Sequence, residues 1–501
     1  MHNSGCIEEI NVSGEECPSS DLACSACKEL TSLDAQIEDA RSLLRTLYLK
    51  RCQVKLRRNL HHDQLVRSLP IELVSRIFVH CLHSPPPPSL PEDDANAAHD
   101  ARRPNPVSLV LAAVCQRWRQ IAFSTPHLWT VVCVRISGPS IAHYPQMTSE
   151  WLRRSGHLPI WLDVYEERLQ PALSGIRRQL ADPAPIFDAI NRHISRVETL
   201  KLHFNRKYLT LLRGETPILH QLFLSITGSQ HELSSAAFRL ADARPSPHRV
   251  IIRDMPYTAV GIEWASVTHF EAFSLTSSEC LLLFCHSPHL THCKIENITM
   301  SAAEFNPLDP QTITLSSLLT LILDPYRRCT PHAAPSVVAS LTMRSNCALR
   351  ELIINWFDGT LSQLIDVVKM MPSLEELSAS HFRIHDEIFE LLAATTSTQE
   401  DTPPEEVFLP NLRVLCLSGT PYFNWWSLPP IFSQNNTDTD VVLRPLSSFH
   451  LHLSFSRRGP GEEEGQTPEE IDEDVKQRLH ELRAGGKEID IVNVFDDSLE
   501  L

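Results

Sequence analysis

The chain has 501 residues, of which 42% are hydrophobic and 21% are charged, as in ordinary globular proteins, so a mainly disordered chain is excluded. Its formal net charge of −16 excludes a generally basic nucleic-acid binder, although a local basic patch stays compatible with it. With only 15 glycines against 36 prolines, glycine-rich phosphate-binding architectures are disfavoured and many element ends and loops are favoured.

Residues 1–30 are predicted to form a flexible N-terminal tail. Cys24 and Cys27 have the spacing of half a zinc site, but a second pair at comparable spacing is missing. A partly helical tail without a metal is therefore favoured. The first ten residues have no apolar core, so we expect no secretory signal and, in consequence, reduced thiols and an intracellular location.

Residues 31–67 are predicted to form one amphipathic helix that starts near Thr31 or Ser32. An apolar stripe with alternating spacings of four and three residues follows the helix, at Leu33, Ile37, Ala40, Leu44 and Leu47. The next position on this seam is Arg51, so a long coiled coil is not expected. Two alternatives remain open: the stripe packs on the same chain, or it mediates self-association.

Residues 68–130 are predicted to contain two helices separated by a proline-rich loop at 84–106. Pro70 suits the first turn of the first helix, because its missing N–H costs nothing there. Ser108 is expected to cap a second helix whose apolar stripe runs to Ile121 and which ends at Ser124-Thr125-Pro126. The loop holds four consecutive prolines, which favour an exposed extended segment; an SH3-type ligand is the alternative.

From residue 131 to residue 456 a motif recurs, with apolar residues at its first, fourth and sixth places. Successive first places are 20 to 38 residues apart, and helical patterns such as Ile186, Phe187, Ile190 and Ile194 or Ile384, Ile388, Leu391 and Leu392 lie between them. This alternation predicts an α/β fold in which repeated strand–helix units share one parallel sheet, an irregular leucine-rich-repeat-like solenoid. An ordinary layered α/β domain is the alternative. The fourth places are Leu200, Leu222, Val250, Phe270, Cys293, Leu321, Leu352, Leu377, Leu415 and Phe449.

Residues 457–501 form an acidic C-terminal segment. Within it we predict a helix from Pro468 to Arg483 and a last strand from Ile489 to Phe495. The longest uncharged apolar stretch of the whole chain, near residues 107–115, is too short to cross a bilayer, so no membrane association is expected.

The two helices of 68–130 carry more large apolar side chains than two short helices can cover, and the surplus is expected to form a partner site. Leu69-Pro70-x-Glu72-Leu73-Val74-x-x-Ile77-Phe78, followed by Val114-Cys115-x-x-Trp118 and Leu128-Trp129, resembles the F-box. More narrowly, the segment is similar to F-box-like proteins of mushroom-forming fungi.

The resemblance implies a hairpin that docks on a Skp-type adaptor and, through it, on a cullin scaffold, while the repeats present a substrate protein. The long loop between the helices departs from the family, which has a short connection there. A hairpin that merely packs on the first repeat is the alternative, and Trp129 is expected to be an internal plug in either case. The resemblance implies an adaptor-binding surface of Leu69, Pro70, Leu73, Ile77, Phe78, Leu111, Val114, Cys115 and Trp118.

Catalytic motifs are missing: the sequence has no Gly-x-Ser-x-Gly elbow, phosphate loop, dinucleotide fingerprint or His-Glu-x-x-His. We therefore expect no enzyme, cofactor or metal, and leave open a repeat-type interaction scaffold without any ligase role. The basic run Lys50–Arg58 has one nearby aromatic residue, so nucleic-acid stacking is not expected. One cluster has ligand types that suit zinc, but its Cys293 is expected to point into the core: Cys280, Cys285, His286, His289, His292 and Cys293.

Overall fold

A computed structural model describes the chain in thirteen stretches, which divide between two compact units: one ends at Leu128 and the other begins at Trp129. The predicted tail up to residue 24, Cys24 included, the proline-rich loop at 84–106 and most of the acidic segment before residue 471 lie outside the described residues. The described stretches are 25–62, 69–82, 107–136, 143–166, 182–227, 238–240, 244–299, 315–324, 347–355, 360–394, 407–432, 444–453 and 471–493.

Helices make up the first unit. Helix α1 begins at Ser25, six residues before the predicted start, so Thr31 and Ser32 lie inside it rather than at its cap. Every described side chain from residue 28 to residue 58 is exposed. Among the described residues, none therefore covers the predicted apolar stripe. The helices of this unit are α1 (Ser25–His62), α2 (Ile71–His80), α3 (Val107–Val114) and α4 (Gln116–Phe123).

A parallel sheet of thirteen strands, arranged in chain order, forms the second unit. This confirms the predicted α/β class and the single parallel sheet. The first strand begins at Val131, directly after a 3-10 turn at Pro126–Trp129. The strands are β1 (Val131–Arg135), β2 (Ile160–Tyr165), β3 (Val197–Asn205), β4 (Gln221–Thr227), β5 (Arg249–Arg253), β6 (His269–Thr276), β7 (His292–Thr299), β8 (Thr320–Asp324), β9 (Glu351–Ile354), β10 (Glu376–His385), β11 (Val414–Tyr422), β12 (Ser448–Leu453) and β13 (Glu488–Asn493).

The recurring motif sets the register of the sheet. Its fourth-place residues are direct partners from strand to strand, from Leu200 on β3 through Cys293 on β7 to Phe449 on β12. All the fourth- and sixth-place side chains are buried. Because alternate strand residues point to opposite faces, the motif aligns one apolar face along the whole row of strands.

Helices connect several of these strands. Threonine capping boxes start two of them, at Thr276 and at Thr360, and satisfy the first free N–H groups. One helical prediction is wrong in part, since Ile384 lies in β10 and the helix starts only at Asp386. The helices are α5 (Tyr144–Arg154), α6 (Ala184–Asn191), α7 (Ser277–His286), α8 (Leu361–Lys369), α9 (Asp386–Ala394) and α10 (Glu473–Ala484).

One buried arginine, Arg444, joins neighbouring strand–helix segments of the second unit. The Arg444 side chain is 1% exposed, and its guanidinium donates to the carbonyl oxygens of Leu409 at 3.1 Å, Leu392 at 2.8 Å and Phe408. The carbonyl of Leu392 belongs to the last turn of α9, where backbone acceptors lack partners within the helix. Arg444 thus holds the end of α9 against the segments that lead into β11 and β12.

Trp129 is the buried plug that was predicted. Its side chain is 1% exposed, and its ring meets the edge of Trp151 with 4.8 Å between centroids. The guanidinium of Arg154 lies 4.8 Å from the centre of the same ring. Trp129 therefore fills the start of the second unit between β1 and α5.

Candidate protein-interaction site

Helix α2 begins after Pro70, whose extended backbone places it at the N-cap rather than inside the first turn as predicted. The Pro70 carbonyl accepts hydrogen bonds from the N–H groups of Leu73 and Val74. Val74 and Phe78, four residues apart, are buried. Leu73 and Ile77, also four residues apart, are exposed. The helix thus has two apolar faces, of which only one is buried by the described residues.

The second predicted helix is in fact two helices, because the helical backbone is interrupted at Cys115. This residue has an extended backbone, with φ −156° and ψ 171°, and its Sγ accepts a hydrogen bond from the Trp118 N–H at 3.4 Å. Arg119 reinforces the corner, since its Nε donates to the Ala112 carbonyl at 2.9 Å. Cys115 therefore acts as the N-cap of α4. No proline or glycine lies at this interruption, so the sequence pattern alone predicts one continuous helix.

Polar contacts hold the three short helices together. Ser108, predicted as a cap, is instead buried inside α3, and its Oγ donates to the Leu128 carbonyl at 2.7 Å. The Thr125 hydroxyl lies 2.7 Å from the Ile121 carbonyl and 3.1 Å from Ser75 Oγ of α2. These contacts fix α2, α3 and the end of α4 as one rigid scaffold.

The nine predicted adaptor-facing residues therefore fall into different environments. Phe78 and Leu111 are buried, and the Phe78 ring packs 4.9 Å from the Trp118 ring, centroid to centroid. Leu69, Cys115 and Trp118 are half-buried. The exposed members are Pro70, Leu73, Ile77 and Val114. Only these last four are exposed and can contact a partner without any rearrangement.

Further exposed apolar side chains, which the sequence analysis did not include in the site, lie on the same three helices. They are Ile71, Leu109, Val110 and Phe123. The signal for Leu109 and Val110 was present in α3, whose sequence Val-Ser-Leu-Val-Leu-Ala-Ala-Val is apolar except for Ser108. A helix of that kind needs cover on every side, and one short neighbour cannot supply it.

The first unit holds most of the exposed apolar surface in the described part of the chain. Seventeen of the twenty-three large hydrophobic side chains that are exposed there belong to this unit, although it contributes far fewer described residues than the second. The exposed charged side chains of the same helices are mostly basic, with Arg76, Arg117 and Arg119 against one acid, Glu72. An apolar centre with a charged rim is the usual anatomy of a protein–protein interface.

The cysteine and histidine cluster of the second unit does not assemble into a ligand set. Cys280 and Cys293 are buried, and burial raises the pKa of both thiols, so they stay protonated core side chains. Cys285 and His286 lie at the exposed end of α7. Within the described residues, no group of three or more metal-binding side chains is placed to share an ion.

An open groove beside α5 and α6 contains a carboxylate, Glu150, that is already engaged. Glu150 accepts hydrogen bonds from Arg153 at 2.7 and 2.8 Å and from Arg154 at 2.8 Å. These bonds lower the pKa of Glu150 to about 2. This carboxylate therefore stays ionised near neutral pH and is a poor proton donor.

Comparison with protein-family models and with curated proteins adds nothing to what the residues of the hairpin show. In the described stretches, no helix is long and apolar enough to cross a membrane. No protein-family model matches the chain, and no curated protein is significantly similar to it.

Proposed function

We propose that this protein is the substrate-recognition adaptor of a Skp–cullin–F-box type ubiquitin ligase. In this proposal α2, α3 and α4 form an F-box-like hairpin that docks on the Skp-type adaptor. The thirteen-stranded unit is an irregular leucine-rich-repeat-like solenoid that presents the substrate protein. Such a ligase works inside the cell, so the proposal also requires an intracellular location.

One observation carries the proposal: large apolar side chains stay exposed on a hairpin whose scaffold is otherwise well packed. Leu73, Ile77 and Val114 are exposed, and each occupies a place in the F-box pattern at which the resemblance implies adaptor contact. Buried Phe78 and the hydrogen bonds of Ser108 and Thr125 hold the backbone beneath them in place. The exposure therefore comes from surplus apolar surface on a packed scaffold.

A direct binding experiment tests the proposal. The purified full-length chain is titrated with the matching Skp-type adaptor, alongside the variants Leu73→Glu and Leu56→Glu. The two leucines are matched controls, because their exposed fractions are 44% and 43% while Leu56 lies on α1, outside the hairpin. We expect wild type and Leu56→Glu to bind equally, and Leu73→Glu to lose binding because it introduces a charge into the apolar face.

A wild-type chain that fails to bind contradicts the proposal in its present form. Deletion of residues 84–104 then asks whether the insertion between the helices blocks docking. If the shortened chain also fails, the hairpin is part of an interaction scaffold with no ligase role. Binding that Leu73→Glu leaves unchanged, with circular dichroism confirming the fold, would place the adaptor on another surface.

A further inference from the structure

Helix α1 presents an apolar seam, interrupted by Arg51, that no residue in the described part of the chain covers. Because the helix begins at Ser25, the seam starts earlier than the sequence pattern predicted and continues past Arg51 to Val54. Its members recur with strictly alternating spacings of three and four residues over about three and a half heptads, which is long enough for a coiled coil. The seam consists of Leu30, Leu33, Ile37, Ala40, Leu44, Leu47, Arg51 and Val54.

Charge is distributed unevenly along this helix. From residue 28 to residue 39 there are four acidic side chains and one basic, whereas residues 50–58 carry five basic side chains and no acid. Glu29 and Asp34 flank the seam at the acidic end, and Lys50, Lys55 and Arg57 flank it at the basic end. Two such helices attract one another only when the acidic end of each meets the basic end of the other.

We propose that two copies of this chain pair through α1 as an antiparallel coiled coil. The proposal is independent of the ligase role, since α1 lies outside the F-box-like hairpin.

The seam residues match in one antiparallel register. Leu30 meets Val54 of the second copy, Ile37 meets Leu47, and Ala40 meets Leu44, so these layers are apolar. Arg51 meets Leu33 of the second copy beside Asp34. The arginine stem packs on the leucine there while its charged head reaches the carboxylate.

A parallel pair is disfavoured by the same residues. It would place Arg51 directly against Arg51 of the second copy inside the seam. Lys50 would flank Lys55 of the second copy at the basic end, and Glu29 would flank Asp34 at the acidic end. The like charges at both ends and in the seam select the antiparallel arrangement.

Light scattering after size exclusion tests the pairing in the full-length chain. We expect wild type to be a dimer at micromolar concentration. Leu44→Glu is expected to raise the dimer dissociation constant at least about tenfold, because it introduces a charge into the seam of both copies. Leu56→Glu is the matched control: Leu56 and Leu44 are 43% and 42% exposed, but Leu56 lies on the side of α1 opposite the seam.

Cross-linking with a short amine-reactive reagent tests the orientation with native lysines. Lys28 and Lys55 are about 40 Å apart along one helix, from a rise of 1.5 Å per residue. In the proposed register, however, Lys28 of one copy lies at nearly the same height along the helix pair as Lys55 of the second copy, within reach of the reagent although Lys28 is on the outer face. We therefore expect a Lys28–Lys55 cross-link that disappears in Leu44→Glu.

Three results would overturn the proposal. A wild-type chain that remains monomeric at micromolar concentration would exclude the pairing. A dimer that Leu44→Glu leaves intact would place the contact elsewhere. Cross-links that join Lys28 to Lys28, or Lys55 to Lys55, would show parallel helices.

Discussion

The division of the predicted adaptor surface into exposed and buried members leads to a quantitative prediction. We replace Leu73, Ile77 and Val114 together by alanine and compare this variant with Phe78→Ala. In the free chain the three replaced side chains are 44%, 40% and 52% exposed, and full burial of each is worth about 1.5–3 kcal/mol. Docking would cover the exposed fractions, so the triple variant should lose about 2–4 kcal/mol of binding free energy, which is about a 30- to 700-fold weaker Kd.

The same numbers separate binding from folding. The three exposed side chains contribute little to packing, so the triple variant should change the free energy of unfolding by about 1.5 kcal/mol or less, about 0.5 kcal/mol for each substitution. Phe78→Ala removes a fully buried ring and should destabilise the scaffold by about 3–5 kcal/mol. Calorimetric titration with the Skp-type adaptor and urea denaturation measure the two quantities. A triple variant that binds within threefold of wild type, or that unfolds as easily as Phe78→Ala, would refute the reasoning.

Three further predictions concern the second unit. Arg444→Met should destabilise it by about 3 kcal/mol or more in urea denaturation, because buried carbonyls lose a charged donor; stability equal to wild type would contradict this role. Gly419→Ala should destabilise it by about 1–3 kcal/mol, because a Cβ would lie 2.0 Å from the backbone oxygen of Phe382; an unchanged urea midpoint would contradict that clash. Burial, then His292 and Arg249, lowers the pKa of His269, an effect that Glu271 partly offsets. His269 therefore resists protonation in the folded protein, so the protein loses stability as the pH falls below the pKa of His269 in the unfolded chain, near 6.5. His269→Gln should reduce the difference in urea midpoint between pH 8 and pH 5.5. An undiminished difference would contradict this role of His269.

Strand positions could be predicted from the sequence because the buried face of a parallel sheet requires apolar residues at the same places of every strand. Leu290, Cys293 and Ile295 illustrate it: all three are buried, and the strand β7 that contains the last two lies where the motif predicts. Helix positions were harder to predict. Ile384 has helical spacing with Ile388, yet it belongs to the strand just before α9, because the apolar strand face and the apolar helix face adjoin at that boundary.

The interior of the candidate site was not predictable for a different reason. Apolar spacing identifies which side chains avoid water, but it does not say whether the chain itself or a partner covers them. Phe78 and Ile77 are neighbours in sequence and both suit a core, yet one is buried and the other is exposed. The backbone at Cys115 could not be predicted either. Its role as a cap depends on a hydrogen bond from an amide to its sulfur, and cysteine is not among the residues that are preferred as helix caps.

The unequal distribution of exposed apolar surface also bears on how the two units are used. In the second unit every strand adds apolar residues to one continuous buried core. The described part of the first unit has two exposed apolar surfaces of different kinds: a long seam with polarised charge on α1, and an apolar face on α2, α3 and α4 whose exposed charged residues are mostly basic. A seam with mirrored charge suits an identical chain, whereas a face with charge of one sign suits a different, acidic partner. Leu44→Glu and Leu73→Glu should therefore act separately, the first on self-association and the second on adaptor binding.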